Sequence, residues 1–211
     1  MGEAFHIPNT RKPDYPIDPL FTTRWSPRAF ADVTMSEPEM LTLLEAARWA
    51  PSAQNAQEWR FAYALRGDAL WQPLFESLNA KNQTWVPNAS ALLAVTSCSH
   101  SLPKDGTAPV PNPSHAFDTG AAWAHLALQA TLSGWHVHAM GGFNLEAAAK
   151  AVELPSHHVL HCIVAVGKRG DPAQLPDGLR EREAPNGRKP LSDIAVRGAF
   201  SSHQTSSTAT R

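Results

Sequence analysis

Apolar residues recur along the chain at two spacings, one typical of helices and one of strands. The clearest helical stripe consists of Met40, Leu43, Leu44, Ala47 and Ala50. Ser36 and Glu39 precede it with the spacing of a capping box, so the pattern predicts a helix from Glu37 to Ala50. A longer helix is predicted over residues 117–133, where alanine and leucine lie on most sides and Gly134 suits the C′ position. A helix with so few polar sides is expected in a core or at a subunit interface.

Continuous apolar runs predict strands that are buried on both faces. Two such runs are residues 91–97 and 160–167, and the run 59–65 ends at a Gly-containing turn. Weaker patterns predict a short helix from Asp68 through Leu78, a short strand over 135–140, and a helix over 145–152 capped by Asn144. Helices mixed with a few buried strands are typical of α/β or α+β folds.

Proline-rich stretches divide the chain. Four prolines within residues 1–20 predict an extended arm that needs outside contacts for order. Residues 99–115 form a long irregular loop of the kind that often lines a binding site. The region 168–190 is expected to be a second arm, and the Ser/Thr-rich tail 196–211 is expected to be disordered. We therefore expect one domain over residues 21–195.

Composition limits the classes of function. The 211 residues contain 18 Lys and Arg against 19 Asp and Glu, with no basic run, which argues against nucleic-acid or anionic-membrane binding. No apolar run approaches the ~20 residues of a membrane helix, and no signal peptide is visible at the start. Cys98 and Cys162 allow one disulfide, although free thiols in a reducing cytosol fit them better. These features predict a cytoplasmic protein.

The segment between Pro51 and Trp59 carries the first candidate chemistry. Pro51 ends the preceding helix, since it lacks an N–H and disfavours helical geometry at Ala50. A short polar loop follows with Ser52, Ala53, Gln54, Asn55 and Gln57. Small and amide residues between two regular elements suit a flat heterocycle that forms hydrogen bonds.

A second candidate is the segment Arg24-Trp25-Ser26-Pro27-Arg28. In an extended chain Arg24, Ser26 and Arg28 point to one face, because side chains alternate with a period of two. Two guanidinium groups and a hydroxyl there can bind phosphate oxygens. A solvated pair of arginines near a turn is the alternative.

Weaker signals lie further along the chain. Asn82 and Gln83 precede a buried strand, and Gly141-Gly142 would let backbone N–H groups approach a ligand closely, although exposed amides and an ordinary turn explain them equally well. No dinucleotide-binding glycine motif, phosphate-binding P-loop or serine-hydrolase elbow occurs. The histidines lack the cysteine or carboxylate partners of a metal set, so we expect no metal site. The chemistry therefore points to a bound organic cofactor.

Taken together, these segments resemble the nitroreductase family of FMN-dependent oxidoreductases. Five pieces match the family in order: Arg24-x-Ser26-x-Arg28 with Phe30, the stretch from Ala50 to Phe61, Asn82-Gln83, Met140 to Phe143, and Arg188 to Leu191. The resemblance covers roughly residues 20–195.

The resemblance implies an α+β fold, with a mostly antiparallel central sheet surrounded by helices, in an intertwined homodimer. It implies two FMN molecules at the dimer interface. By similarity, Arg24, Trp25, Ser26, Arg28 and Arg188 would hold the phosphate and ribityl chain. Asn82, Gly141 and Gly142 would face the isoalloxazine from the same subunit. The partner subunit would supply Pro51, Ser52, Ala53 and Asn55.

The resemblance also implies an activity: hydride passes from NAD(P)H through flavin N5 to a small oxidant such as a nitroaromatic, quinone or enone. No side chain is assigned as an obligatory acid or base, and His115, Phe117 and Trp123 are candidates for substrate binding. The alternatives keep the flavin without reductase turnover, as in dehalogenating, desaturating or flavin-degrading relatives, or as a non-catalytic FMN-binding dimer. Glu58 stands where the family usually has proline, and Trp85 where lysine is frequent.

Overall fold

The central element of the fold is a four-stranded antiparallel sheet. The computed structural model describes residues 7–101, 106 and 108–200. The sheet consists of β1 (Trp59–Leu65), β2 (Ala91–Cys98), β5 (His136–Met140) and β6 (His158–Gly167). Their order is β1-β2-β6-β5, and every pair is antiparallel. The expected α+β architecture with an antiparallel sheet is therefore confirmed.

Two further strands, seven α-helices and four short 3-10 helices complete the described structure. The strands β3 (His100–Ser101) and β4 (Val110–Pro111) pair with each other beyond the end of β2. The helices are α1 (Pro19–Thr23), α2 (Glu37–Arg48), α3 (Trp71–Ser77), α4 (Ala80–Gln83), α5 (His115–Leu132), α6 (Leu145–Ala151) and α7 (Asp177–Arg180). Among the described residues, no helix is both long and apolar enough to cross a membrane.

The sheet separates two hydrophobic cores, one on each face. Leu92 and its neighbours on one face pack against α3, α6 and the segment around Phe30. Leu93, on the opposite face, lies in the core that contains α2 and α5. Every residue of β2 from Ala91 to Ser97 is buried, as the continuous apolar run predicts.

Local sequence signals predicted several element ends. The backbone N–H of Ser36 donates to the Glu39 carboxylate over 2.9 Å, which is half of the predicted capping box. Asn144 caps α6 by accepting from the N–H of Ala147. Gly134 follows α5 with a φ of 68°, the left-handed conformation that glycine adopts readily. Helix α5 begins at His115 rather than Phe117, so it includes more of the irregular loop than its composition predicts.

The region after β6 contributes residues to the core, although its composition predicts an arm. Leu175 and Leu179 are buried in the core that contains Phe30, and Glu183 is 5% exposed. The prediction that this whole region stays outside the core is therefore wrong. Of the other predicted irregular segments, residues 1–6, 102–105, 107 and 201–211 lie outside the described residues. Cys98 and Cys162 are free thiols, and burial raises the pKa of Cys162 to about 11.

Candidate functional site

An arginine-rich cavity of about 520 Å³ lies where the N-terminal arm at Arg11 and the region after β6 meet the segment before Phe30. Its lining contains all the predicted phosphate-binding residues, namely Arg24, Trp25, Ser26, Arg28 and Arg188. The other lining residues are Arg11, His138, Arg182, Ala184, Pro185 and Asn186. Among the lining residues there is no carboxylate, so five guanidinium groups face a shared space.

The cationic groups of the cavity repel one another. Burial, and then the charge of Arg188, lowers the pKa of the Arg24 guanidinium. Burial likewise lowers the pKa of Arg11, with further contributions from Arg188 and Arg24. Converging guanidinium groups that lack an acidic partner are stabilised by a multivalent anion, and a phosphate matches their fork geometry.

Arg11 connects the N-terminal arm to the region after β6, and the sequence motifs did not identify it. Its Nη1 donates to the carbonyl oxygen of Arg24 over 2.7 Å, and its Nε donates to that of Asn186 over 2.7 Å. The N-terminal arm and the C-terminal region therefore share one wall of the cavity. Residues that are 175 positions apart produce no local sequence pattern from which their contact could be predicted.

Glu183 lies outside the cavity lining and holds the backbone of the segment that carries Arg28. Its Oε1 accepts hydrogen bonds from the backbone N–H groups of Arg28 and Ala29, at 2.7 and 2.8 Å. The carboxylate lies 3.9 Å from the Arg28 guanidinium, so it partly neutralises this one arginine. Backbone binding fixes the direction in which the Arg28 side chain leaves the chain. No sequence motif identified Glu183 either.

His138 forms the floor of the cavity on β5. Its ring lies 4.8 Å from Trp85, centroid to centroid, and its Nδ1 lies 2.9 Å from the carbonyl oxygen of Pro27. Burial is the main cause that lowers the pKa of His138 to about 4. The imidazole is therefore neutral near pH 7 and bonds to Pro27 through an Nδ1–H. Trp85 is itself buried, so it supports the floor instead of lining the cavity.

Asn82 and the double glycine lie together, as the resemblance implies. The Asn82 side-chain amide donates to the carbonyl oxygen of Gly142 over 3.0 Å. A Cβ added to Gly142 would overlap the Asn79 side chain, so glycine is required there for packing. Gly141 is exposed, and a Cβ at that position would meet open space. The backbone at Gly141 is therefore accessible to a ligand.

The loop after Pro51 lies outside the lining of the arginine-rich cavity. Its N–H at Ala53 donates to the carboxylate of Asp118 on α5 over 2.9 Å. Gln54, Asn55 and Gln57 have φ values of 54°, 57° and 50°, a left-handed conformation that is uncommon for residues other than glycine. Such backbone strain concentrates at functional sites. The loop is exposed and held in a fixed shape, and this arrangement suits contact with a second molecule.

Glu58 is buried, 3% exposed, at the end of this loop. Its Oε1 accepts a hydrogen bond of 3.0 Å from the side-chain amide of Asn112, whereas Oε2 has no hydrogen-bond partner among the described residues. The backbone carbonyl of Glu58 accepts from the N–H of Cys98 over 2.9 Å, which extends the β1–β2 ladder. The carboxylate therefore points into the protein toward the segment before α5.

The three candidate substrate residues have different environments on α5. Phe117 is 83% exposed, whereas Trp123 packs against the core that contains Leu93. His115 is half-buried and hydrogen-bonds through Nδ1 to the hydroxyl of Ser97 over 2.7 Å. His115 and Phe117 thus lie beside Asp118, which holds the loop after Pro51. No group of three or more His, Cys, Asp or Glu that could bind a metal occurs in the described part of the chain.

Comparison with known proteins gives one family. The nitroreductase family model matches residues 21–168, more than half of the chain. The protein DrgA of Synechocystis is 27% identical over 203 residues, which cover 84% of this chain and 93% of DrgA.

Solved structures give the same result. A crystal structure described as an oxidoreductase containing FMN is 45% identical with a TM-score of 0.88, and the match covers 92% of this chain and 97% of that one. A putative nitroreductase of Exiguobacterium sibiricum in complex with FMN is 24% identical with a TM-score of 0.71, covering 90% and 100% of the two chains. The second likeness shows the fold alone.

Proposed function

The chain belongs to the nitroreductase family, and from this premise we propose that it is an FMN-dependent oxidoreductase. It takes a hydride from NAD(P)H and passes it to a small oxidant such as a nitroaromatic, a quinone or an enone. The reaction takes place in the cytoplasm, where the nicotinamide donor is available. The FMN named for two structurally similar proteins supports the choice of cofactor.

The observation that carries this proposal is the arginine-rich cavity. Five arginines line it and no carboxylate does, so, apart from the partial neutralisation of Arg28 by Glu183, their charge is matched only when an anion enters. Arg24, Arg28 and Arg188 bind the terminal phosphate of FMN, and Ser26 donates its hydroxyl to the same group. Arg11 and Glu183 position these residues through the backbone without being ligands themselves.

The remaining candidates suit the ring of FMN. Asn82 and the exposed backbone at Gly141 face the isoalloxazine from one subunit. The loop from Pro51 to Asn55 covers it from the partner subunit, since in its own subunit this loop lies outside the cavity lining. Bound FMN supplies the hydride-accepting and hydride-donating chemistry, and the protein supplies orientation and hydrogen-bond donors.

A homodimer is part of the proposal. Large apolar side chains are exposed on the subunit, among them Phe117 at 83%, Trp49 at 71%, Ile194 at 66% and Tyr15 at 65%. Strand β5 is an edge of the sheet, with backbone groups available for a second chain. Exposed apolar surface and an open edge both favour association of two copies.

The test is an absorbance spectrum of the purified protein under anaerobic conditions. We expect a flavin spectrum that bleaches with NADPH or NADH and returns when a quinone or nitroaromatic is added. Released cofactor is identified as FMN by chromatography. Flavin that binds but does not bleach would support a flavin-binding protein without reductase turnover. Protein that takes up no FMN after reconstitution would contradict the proposal.

A further inference from the structure

The hydroxyl of Ser97 lies between two imidazoles. Its Oγ is 2.7 Å from Nδ1 of His115 and 2.7 Å from Nε2 of His161. Ser97 is fully buried on β2, whereas both histidines are half-buried. The three residues come from β2, α5 and β6, and His161 occupies the irregular position where the β2–β6 register shifts. Buried polar atoms are thus joined in a line from one partly accessible ring to another.

The short distances determine how hydrogen atoms are shared. A serine hydroxyl donates one hydrogen and accepts through its lone pairs. When Ser97 donates to Nδ1 of His115, His161 must donate its Nε2–H to Ser97, or both directions are reversed. Burial, and then the neighbouring imidazole of His115, lowers the pKa of His161, which favours the neutral form of that ring. In each arrangement, the hydrogen bonds among His161, Ser97 and His115 form a continuous chain in which all donors point the same way.

The cluster adjoins the loop after Pro51, which is proposed to cover the ring of FMN in a site shared between the two subunits. His115 lies one helical turn before Asp118, whose carboxylate binds the loop after Pro51. Ser97 pairs with Trp59, the first residue after that loop. The chain of hydrogen bonds therefore lies beside the start of α5 and the start of β1, the two elements that hold this loop.

We propose that His161, Ser97 and His115 form a proton relay that supplies the proton consumed when a quinone-type acceptor is reduced. This inference rests on the proposed function. A quinone that gains a hydride has received two electrons and one hydrogen nucleus, and it becomes an anion that needs one proton. His115 is the group that contacts the acceptor, and the other two residues act through it.

The proton transfers balance. The Nε2–H bond of His115 breaks as the O–H bond of the product forms. The hydroxyl hydrogen of Ser97 moves to Nδ1 of His115, and the Nε2 hydrogen of His161 moves to Ser97 Oγ. Nδ1 of His161 takes a proton from solvent. One proton enters and one leaves, so the three residues keep their total charge, and tautomer exchange restores the starting direction.

Two electron acceptors distinguish a defect in the proton relay from a defect in hydride transfer. Ferricyanide takes one electron at a time and no proton, whereas a benzoquinone takes two electrons and two hydrogens. We expect Ser97→Ala to lower the turnover rate with the quinone about tenfold to a hundredfold, because a positioned acid typically contributes at least that much. The rate with ferricyanide, the bleaching of the flavin by NADPH and FMN retention should stay unchanged.

Matched variants test whether the effect is specific. Ser97→Thr keeps the hydroxyl and should restore the quinone rate. Thr96→Ala removes a neighbouring buried hydroxyl that donates to the carbonyl of Arg60 on the other face of β2, and it should leave both rates unchanged. His161→Gln provides a second break in the relay where Ser97→Ala fails to fold.

A readout without turnover completes the test. Nitrogen NMR of the wild-type protein should show one ring that donates to Ser97 and one that accepts from it, and Ser97→Ala should release this tautomer preference. The relay also predicts a solvent deuterium isotope effect with quinone that disappears in Ser97→Ala. Equal quinone rates in wild type and Ser97→Ala would overturn the relay while leaving the oxidoreductase proposal intact. Loss of ferricyanide turnover or of flavin bleaching in Ser97→Ala alone would also overturn the relay, whereas a wild-type protein without flavin bleaching would count against the proposed function instead.

Discussion

The carboxylate of Glu58 and the side-chain amide of Asn112 form a buried hydrogen bond of 3.0 Å that ties the loop before β1 to the segment before α5. The amide oxygen of Asn112 accepts from the N–H of Ser114, so the same side chain also organises the start of the helix. Glu58 thus fixes the segment leading to His115. We infer that Glu58 is a positioning residue between the two proposed walls of the site.

Replacing Glu58 should reveal this role. In Glu58→Ala the Asn112 amide loses its acceptor, and a buried polar group without a partner costs about 1–3 kcal/mol in the free energy of unfolding. Glu58→Gln keeps an acceptor oxygen and avoids burying a carboxylate, so we expect it to be equally stable or more stable. Urea unfolding measures both variants. Equal loss of stability in the two would show that the charge, and not the hydrogen bond, is what matters.

Asp118 should control the shape of the loop after Pro51. Its carboxylate is buried and holds the N–H of Ala53, so Asp118→Ala should destabilise the protein by about 1–3 kcal/mol and speed hydrogen exchange at the Ala53 amide. Asp118→Asn retains an acceptor oxygen, so its stability and its exchange rate at Ala53 should lie between those of the wild type and those of Asp118→Ala. FMN retention should weaken in step with exchange at Ala53. Unchanged exchange in Asp118→Ala would mean that the loop keeps its shape without this bond.

The sequence predicted the elements whose signals are local. It did not predict contacts between residues that are far apart along the chain. Ser36 and Glu39 lie three positions apart, and their spacing is enough to predict the start of α2. Arg11 and Glu183 build the cavity through partners 175 and 155 positions away, which no periodicity records. The burial of Glu58 depends on Asn112, 54 positions away. The arginine motif was recognisable because its members lie within five positions of one another, whereas its supports depend on how the N-terminal arm and the region after β6 pack in this chain.

Removing arginines from the cavity should weaken FMN binding. A hydrogen bond to a charged group contributes about 1.5–3 kcal/mol, so Arg24→Ala or Arg28→Ala should raise the FMN dissociation constant about tenfold to a hundredfold. Arg48→Ala is the matched control, since Arg48 pairs with Glu45 on the exposed face of α2. Fluorescence titration of the apoprotein with FMN gives the constants. Unchanged affinity in both cavity variants would show that the phosphate lies elsewhere.

Mixed dimers should test whether each site is shared. A subunit carrying Arg24→Ala keeps a normal loop, and one carrying Asn55→Ala keeps a normal cavity. In a symmetric dimer with sites built from both chains, the mixed dimer has one site with both changes and one with neither, so roughly half of the wild-type FMN content should return. Separately tagged subunits allow the mixed dimer to be isolated. Sites contained within one subunit would instead give two weakened sites and no recovery.

Mild acid should destabilise the FMN-free protein through its buried histidines. Burial lowers the pKa of both His136 and His138 to about 4, whereas the unfolded chain titrates near 6.5. Above pH 6.5 both states are neutral and the histidines add no pH dependence. Between pH 6.5 and 4 the unfolded state binds protons that the folded state does not, so stability falls as the pH falls, by up to about 3 kcal/mol for each ring.

Urea midpoints at several pH values between 7 and 4 measure this loss of stability. His138→Asn keeps a donor for the Pro27 carbonyl but cannot titrate, so its stability should fall less steeply over the same range. A slope in His138→Asn as steep as in the wild type would mean that other groups cause the acid sensitivity.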